Sequence, residues 1–257
     1  MIILDDAGNG RDIEKRFIQL PLKITIAVLP FQRRSKEMSY LAHINGKEVI
    51  LHIPMEPLNR TVKDGESIKD EIKIGLSFSE IKKRMEEMFS EVPYMEGANN
   101  HQGSKATADK DTMDSVMKIL KTHNFYFIDS RTSALSVAYK VAREVGVPAL
   151  KRDIFLDNIN SYEYVKSQFK KLIQIARKRG YAIGIGHITK GATYEVLRNC
   201  KNLLTKEVKL IFPSELIRKL YYKEVTKDVR ENIKIYDGVS EYFIHNIDRE
   251  RSKEFYY

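Results

Sequence analysis

The amino-acid sequence predicts an α/β fold with a parallel, barrel-like sheet. Two observations carry that expectation. Short apolar runs rich in Ile, Val and Leu alternate with stretches of helical period over the first 217 residues, the pattern of strand–helix repeats. Six of these runs are followed by aspartate or histidine, and the carboxyl end of a strand is where parallel α/β folds place their chemistry.

The first run, residues 2–4, is Ile-Ile-Leu and leads into Asp5-Asp6 and a turn containing Gly8 and Gly10. Strands follow at 24–29 and 49–53, the latter stopped by Pro54 and Pro57, because proline cannot donate to a ladder. Residues 57–76 break the rhythm. They are polar, contain Gly65 and Gly75 and lack a clean period, so they predict a long loop over the strand ends. A helix at 79–89 puts Ile81, Met85, Met88 and Phe89 on one face. A weaker strand, 96–100, precedes His101. Helices at 111–121, 136–144, 161–179 and 193–204 and strands at 125–129, 148–152, 182–186 and 208–212 complete the alternation. Ser161 caps its helix, with Tyr164, Val165 and Phe169 on the apolar face. Cys200, the one cysteine, falls in the 193–204 helix and reads as a buried thiol.

Residues 218–257 leave the pattern, being charged and rich in tyrosine. They read as a C-terminal extension, either a helix and hairpin packed on the barrel or a partner-binding tail. Their aromatic content argues against free disorder. Two domains are therefore expected, a barrel at 1–217 and the extension at 218–257.

Composition narrows the function. The chain has 257 residues and a formal net charge of +9, but its Lys and Arg residues are interleaved with Glu and Asp. Without a basic block or an arginine–aromatic platform, nucleic acid is not an expected partner. A single cysteine excludes an internal disulfide and a thiolate zinc cluster. There is no integral membrane segment, since no apolar run approaches about 18 residues. No signal peptide is visible either; the protein is cytoplasmic or an export segment precedes this chain.

The strand ends supply the candidate chemistry. The adjacent carboxylates Asp5 and Asp6 repel, so one ionises less readily or a cation lies between them. His52 follows the third apolar run, a good ligand position because neutral imidazole binds borderline metals. Asn99, Asn100, His101 and Ser104 form a dense polar cluster bounded by Gly97 and Gly103. His101 is a ligand candidate there, with an asparagine to hold its ring or bind substrate. Asp129 and Arg131, Arg152 and Asp153, and His187 follow three later strands. His43, His123 and His245 lack this setting and read as packing or surface residues. One Asp and two His satisfy a divalent metal and leave a position open for water, as catalytic zinc sites require. A remaining carboxylate could then act as base and a remaining histidine as acid.

The matching stretches ITIAVLP (24–30), VILHIPMEP (49–57), GANNHQGS (97–104), FIDSRT (127–132), RDIFLDN (152–158) and IGIGH (183–187), with the opening residues 2–6, resemble the divergent polysaccharide deacetylase family over residues 1–217. The resemblance implies a deformed (β/α)7-type barrel with its active site at the carboxyl ends of the strands. It implies a metal-dependent hydrolase that removes acetyl groups from a polysaccharide or cell-wall glycan, zinc being the expected metal. Carried over, Asp5 is the general base, Asp6 a metal ligand and His187 the general acid. The wider superfamily takes both metal histidines from a His-(Ser/Thr)-x-x-His motif. Here Glu56 stands in the second position, so His52 and His101 are expected to complete the site. Asp153 is expected to orient His187 or bind sugar hydroxyls, and Glu56, Asn99, Asn100, Ser104, Asp129, Arg131 and Arg152 to bind substrate or support the ligands. The family is usually exported, which implies an extracytoplasmic location. The alternatives are a catalytically weakened glycan-binding module and a metal-dependent amidase acting on a non-sugar substrate.

Overall fold

The computed structural model describes residues 1–59, 70–204 and 207–220. Eight strands run parallel in the order β6-β5-β4-β3-β2-β1-β8-β7. They are β1 (Ile2–Ala7), β2 (Thr25–Val28), β3 (Glu48–Met55), β4 (Met95–Gln102), β5 (Tyr126–Asp129), β6 (Ala149–Lys151), β7 (Ile154–Phe155) and β8 (Gly184–His187). The helices include α1 (Asp12–Ile18), α2 (Ser35–Ile44), α3 (Phe78–Glu91), α4 (Lys110–Thr122), α5 (Ala138–Val145), α6 (Tyr162–Arg179) and α7 (Gly191–Arg198).

The strand order itself shows why the sheet curls. β6 and β7 are the two edges, yet only Arg152 and Asp153 separate them in sequence. Three Cα steps span at most about 11 Å, so the edges must approach each other and the sheet bends into an open barrel. The seam residues stitch both sides, Arg152 N donating to Asp129 O on β5 and Asp153 N to Ile183 O before β8, each at 2.9 Å.

The strands are buried on both faces, as helix-covered parallel strands are. Side chains alternate between faces along a strand. Ile2 and Leu4 of β1, Val49, Leu51 and Ile53 of β3, Ala98 of β4 and Phe127 of β5 pack in one cluster with Phe17, Met38, Met85, Met117 and Phe169 of the helices. The alternate positions face the concave side: Ile3 and Asp5, Ile50 and His52, Asn99 and His101, Ile185 and His187. The same count sends Asn100 and Asp129 toward the helices.

Asp6 should follow them outward, but it does not. The pairing of β1 with β2 shifts register between Leu4 and Ala7, and Asp6 has φ 69°. A bulge of this kind re-aims a side chain. It turns two consecutive carboxylates into one cleft.

Two expectations are corrected. Residues 208–212 are not a strand; Val208 and Leu210 pack against the core without a sheet partner. The eighth strand is instead the two-residue β7, too short to show a period. Residues 193–204 are not one helix, because α7 ends at Arg198 and a 3-10 turn, Cys200–Asn202, follows. Cys200 is buried as expected, and burial pushes its thiol up to about 11. The helices α1 and α2 were not anticipated. The helix expected at 79–89 starts slightly earlier, capped by Ser77 with Glu80 completing a capping box.

The segment expected as a loop over the strand ends lies partly outside the described residues, at 60–69. Its return is pinned beside β3, where Ile72 N donates to Pro54 O at 2.8 Å and Glu56 N to Ile72 O at 2.9 Å. The chain divides into a compact unit, Met1–Glu215, and a second, Leu216–Tyr257; the tail from residue 221 lies outside the described residues. No helix among the described residues is long and apolar enough to cross a membrane.

Candidate metal centre and catalytic cleft

The register of the parallel strands brings the distant candidates together. Asp5 pairs with His187, His52 with Asn99 and Pro54 with His101. At these carboxyl ends Asp6 Oδ1, His52 Nε2 and His101 Nδ1 form a near-equilateral triangle. The sides are 3.4 Å from His52 to Asp6, 3.2 Å from His101 to Asp6 and 3.1 Å between the histidines. Asp6 Oδ1 is buried and makes no hydrogen bond of normal geometry among the described residues. Three lone-pair atoms thus converge where only a cation or a shared proton relieves them. The donor set fits a divalent metal with an open coordination position, and two imidazoles with one carboxylate suit zinc.

Asn99, fully buried, ties this triangle to Asp5. A carboxylate only accepts, so the Asn99 Nδ2 amide donates to Asp5 Oδ1 at 2.9 Å. Its Oδ1 then faces His52 Nδ1 at 2.7 Å and accepts that proton. His52 is thereby held in the tautomer whose Nε2 lone pair points at Asp6 and His101, the arrangement by which outer partners orient metal-binding histidines.

The two aspartates are driven apart electrically. Burial raises the Asp5 pKa above the ordinary carboxyl value, partly offset by the charges of His52 and His187 and reinforced by Asp6. Burial also opposes ionisation of Asp6, but the close imidazoles of His101 and His52 outweigh it and hold Asp6 well below the ordinary value. His52 is raised, burial being outweighed by the charges of Asp5 and Asp6. Two neighbouring carboxyls pushed in opposite directions is the signature of divided acid–base labour.

On the other side of Asp5 stands His187, whose Nδ1 donates to Asp157 Oδ1 at 2.7 Å. Asp157 Oδ2 accepts from His187 N and from Thr193 Oγ1, both at 2.7 Å. Burial disfavours the imidazolium, but the Asp157 hydrogen bond and charge, with the charges of Asp6 and Asp5, win and raise His187 to about 9. Gly186 makes room for this partner: a Cβ there would sit 3.2 Å from Asp157 Oδ2 and 3.1 Å from Thr193 Cγ2.

Other expected residues take supporting places. Asp153 does not reach His187; Arg179 grips it at 2.8 and 2.5 Å, and Ile183 N donates to it. Asp157, four residues on, holds the ring, because β7 and the turn after it bring that position beside β8. Glu56 does not join the triangle; it accepts from Lys105 Nζ at 2.6 Å and Ile74 N at 3.0 Å, joining two loops. Asp129 accepts from Arg131 N and Ser136 Oγ. Asn100 bonds Ser130 N and Gln102 O, and Ser104 Oγ accepts from Leu58 N. Arg152 donates to the carbonyls of Ser130 and Arg131 and lies 3.6 Å over the Phe155 ring. Glu14 was not anticipated: fully buried, it accepts from Gly8 N, Gly10 N and Arg11 N and fixes the turn after Asp6. Only its place three residues into a helix hinted at this.

A cavity of about 400 Å³ lies at the opposite end of the strands, lined by residues that include Met1, Leu172, Tyr181 and Leu210. None of the chemistry-bearing residues lines it, so convergence of polar groups, not volume, locates the site.

Known proteins agree with this architecture. The chain is 35% identical over 216 residues to the uncharacterized protein YibQ of Escherichia coli K12, covering 84% of this chain and 66% of that one. It is 34% identical over 218 residues to an uncharacterized protein of Haemophilus influenzae, covering 84% and 76%. Among solved structures it resembles the uncharacterized protein ATU2773 of Agrobacterium tumefaciens, with TM-score 0.71 and 20% identity over 78% of this chain and 81% of that one. A lactam utilization protein of Thermus thermophilus follows, with TM-score 0.53 and 11% identity over 79% and 94%; these two likenesses concern the fold. The model of the divergent polysaccharide deacetylases matches residues 2–217, and the chain belongs to that family.

Proposed function

We propose that the protein is a metal-dependent carbohydrate deacetylase, removing N- or O-linked acetyl groups from a polysaccharide or cell-wall glycan. The observation that carries this is the order of groups across the cleft: three converging ligand atoms of Asp6, His52 and His101, a raised carboxyl at Asp5 beside them, and His187 raised to about 9 beyond.

Asp6, His52 and His101 would hold the ion, zinc by its donor set. When bound, such an ion polarises the acetyl carbonyl and lowers the pKa of a coordinated water to about 7. Asp5, buried and held by Asn99, takes the proton of the attacking water. The water oxygen bonds to the acetyl carbon, and the bond from that carbon to the sugar nitrogen or oxygen breaks. His187, held by Asp157, gives its Nε2 proton to the departing sugar atom. Acetate and the free amine or hydroxyl result. Asn99 touches both Asp5 and His52, so it sets the geometry of base and ligand together. A cell-wall glycan lies outside the cytoplasm, so an extracytoplasmic location belongs to this proposal.

Metal content and acetate release test it together. The wild type should bind close to one divalent ion and release acetate from acetylated chito-oligosaccharides or peptidoglycan fragments. Asp6→Ala, His52→Ala and His101→Ala should each lose most of the ion. Full metal occupancy in all three would overturn the ligand set. Saturable glycan binding without acetate release would point to the glycan-binding module, and acetate or amine release only from non-sugar amides to the amidase.

A further inference from the structure

We propose that Ser130, Arg131 and Arg152 form an oxyanion-binding wall of the cleft, so that the acetylated sugar also carries a carboxylate or phosphate. This rests on the deacetylase reading of the same cleft and names its substrate class.

Arg152 lies at the barrel seam, between β6 and β7. Its Nε donates to Ser130 O at 2.6 Å and its Nη2 to Arg131 O at 2.9 Å. Its guanidinium covers Phe155, and the Phe155 ring stacks on His187 with centroids 6.1 Å apart. The guanidinium is thus one ring removed from the general acid. Both Nη1 protons and one Nη2 proton lack an acceptor among the described residues.

Arg131 follows two residues after Asp129, whose Oδ1 accepts from Arg131 N at 2.8 Å. Arg131 adopts φ 49°, a conformation unusual for a long side chain. Among the described residues its guanidinium makes no ion pair or hydrogen bond, and no carboxylate comes within ion-pair distance of Arg152. Several other cations are matched, among them Lys105 by Glu56, Arg34 by Glu37 and Arg179 by Asp153. Ser130, 1% exposed, has a hydroxyl with no partner.

The charges of Arg131 and Arg152 repel, while the carboxylates of Asp129, Asp5 and Asp153 act on Arg152 in the opposite sense without pairing with it, and the Ser130 hydroxyl adds an unpaired donor. Burial first, and the charge of Arg131 second, already make Arg152 less basic than usual. The planar fork of arginine matches the paired oxygens of carboxylate and phosphate. An acidic group on the sugar would neutralise the pair.

The test is binding by the metal-loaded protein of a neutral N-acetylhexosamine, a phosphorylated N-acetylhexosamine and an N-acetylated uronic acid. Either anionic sugar should bind about tenfold or more tightly than the neutral one, as expected for a hydrogen bond to a charged group; the stronger of the two identifies the oxyanion. The preference should shrink with added salt. Arg131→Gln, whose parent side chain has no folding partner, should lose most of the preference, and Arg131→Lys should restore part of it. Equal binding of all three sugars, or an undiminished preference in Arg131→Gln, would overturn the wall. Preference for anionic sugars with no acetate released from any would leave the wall and remove the deacetylase. Acetate release at equal kcat/KM from neutral and anionic sugars would do the reverse.

Discussion

Asp157→Asn should strip His187 of its elevated basicity while leaving the metal triangle in place. His187 rises from an ordinary value of 6.5 to about 9. At roughly 1.4 kcal/mol per unit, that is on the order of 3 kcal/mol in favour of the imidazolium. Burial works against this charge, so the carboxylates supply the whole rise, and Asp157 supplies more of it than Asp6 or Asp5. Asparagine keeps one acceptor for the Nδ1 proton but no negative charge. Its amide nitrogen only donates, so it cannot accept from His187 N or from Thr193 Oγ1, which now share Asp157 Oδ2. A lost acceptor in a buried position costs about 1–3 kcal/mol of stability.

Imidazole resonances of the metal-free protein followed by NMR from pH 5 to 10 give the answer directly. Wild-type His187 should titrate near 9, and the variant at least a full unit lower. Linkage adds a second readout. Because the folded value is raised, this contribution to stability is complete below about 6.5 and is lost as pH rises through about 9. Wild-type unfolding free energy should therefore drop across that window by more than the variant's does. In the proposed mechanism His187 must carry its proton to act as acid, so the alkaline limb of acetate release should move down with the pKa. A His187 titration that stays near 9 in Asp157→Asn would refute the assignment of the shift to Asp157.

Asn99→Leu removes the amide that fixes the His52 tautomer and donates to Asp5; zinc affinity measured against a competing chelator should fall about 10- to 100-fold, and unchanged affinity would deny Asn99 its role. Gly97→Ala puts a Cβ 2.6 Å from the Tyr126 ring, which is anchored through its hydroxyl to Glu48; denaturant unfolding should show a loss of about 1–3 kcal/mol, and an unmoved midpoint would mean that the ring swings away. Glu14→Gln weakens the acceptor for three backbone N–H groups of the turn after Asp6; zinc affinity should drop together with stability, and a stability loss alone would show that the turn does not position Asp6.

The alternation of strands and helices, and the row of acids and histidines at strand ends, was legible because burial on both faces forces continuous apolar runs and chemistry collects where they stop. Asp5, His52, His101 and His187 meet as the strand ends suggested. What the sequence hid was hidden for physical reasons. β7 is two residues long, below any period. α1 is short and carries a buried glutamate, so its apolar face is thin. Asp157 follows a two-residue strand and gains its place from Gly186, whose missing side chain leaves the gap; residue type alone pointed equally to Asp153.

Asp6 is the sharpest case. In a regular strand Asp5 and Asp6 would lie on opposite faces, and only one could enter the cleft. The register shift and the left-handed φ at Asp6 remove that constraint. Neither is written in the residue type, since aspartate adopts this backbone only when its surroundings require it. Those surroundings include Glu14, holding Gly8, Gly10 and Arg11 from a helix one turn away. The proposed division of the pair into base and ligand therefore depends on a carboxylate outside the triangle of Asp6, His52 and His101. A sheet that stayed regular here would keep the fold and lose the site.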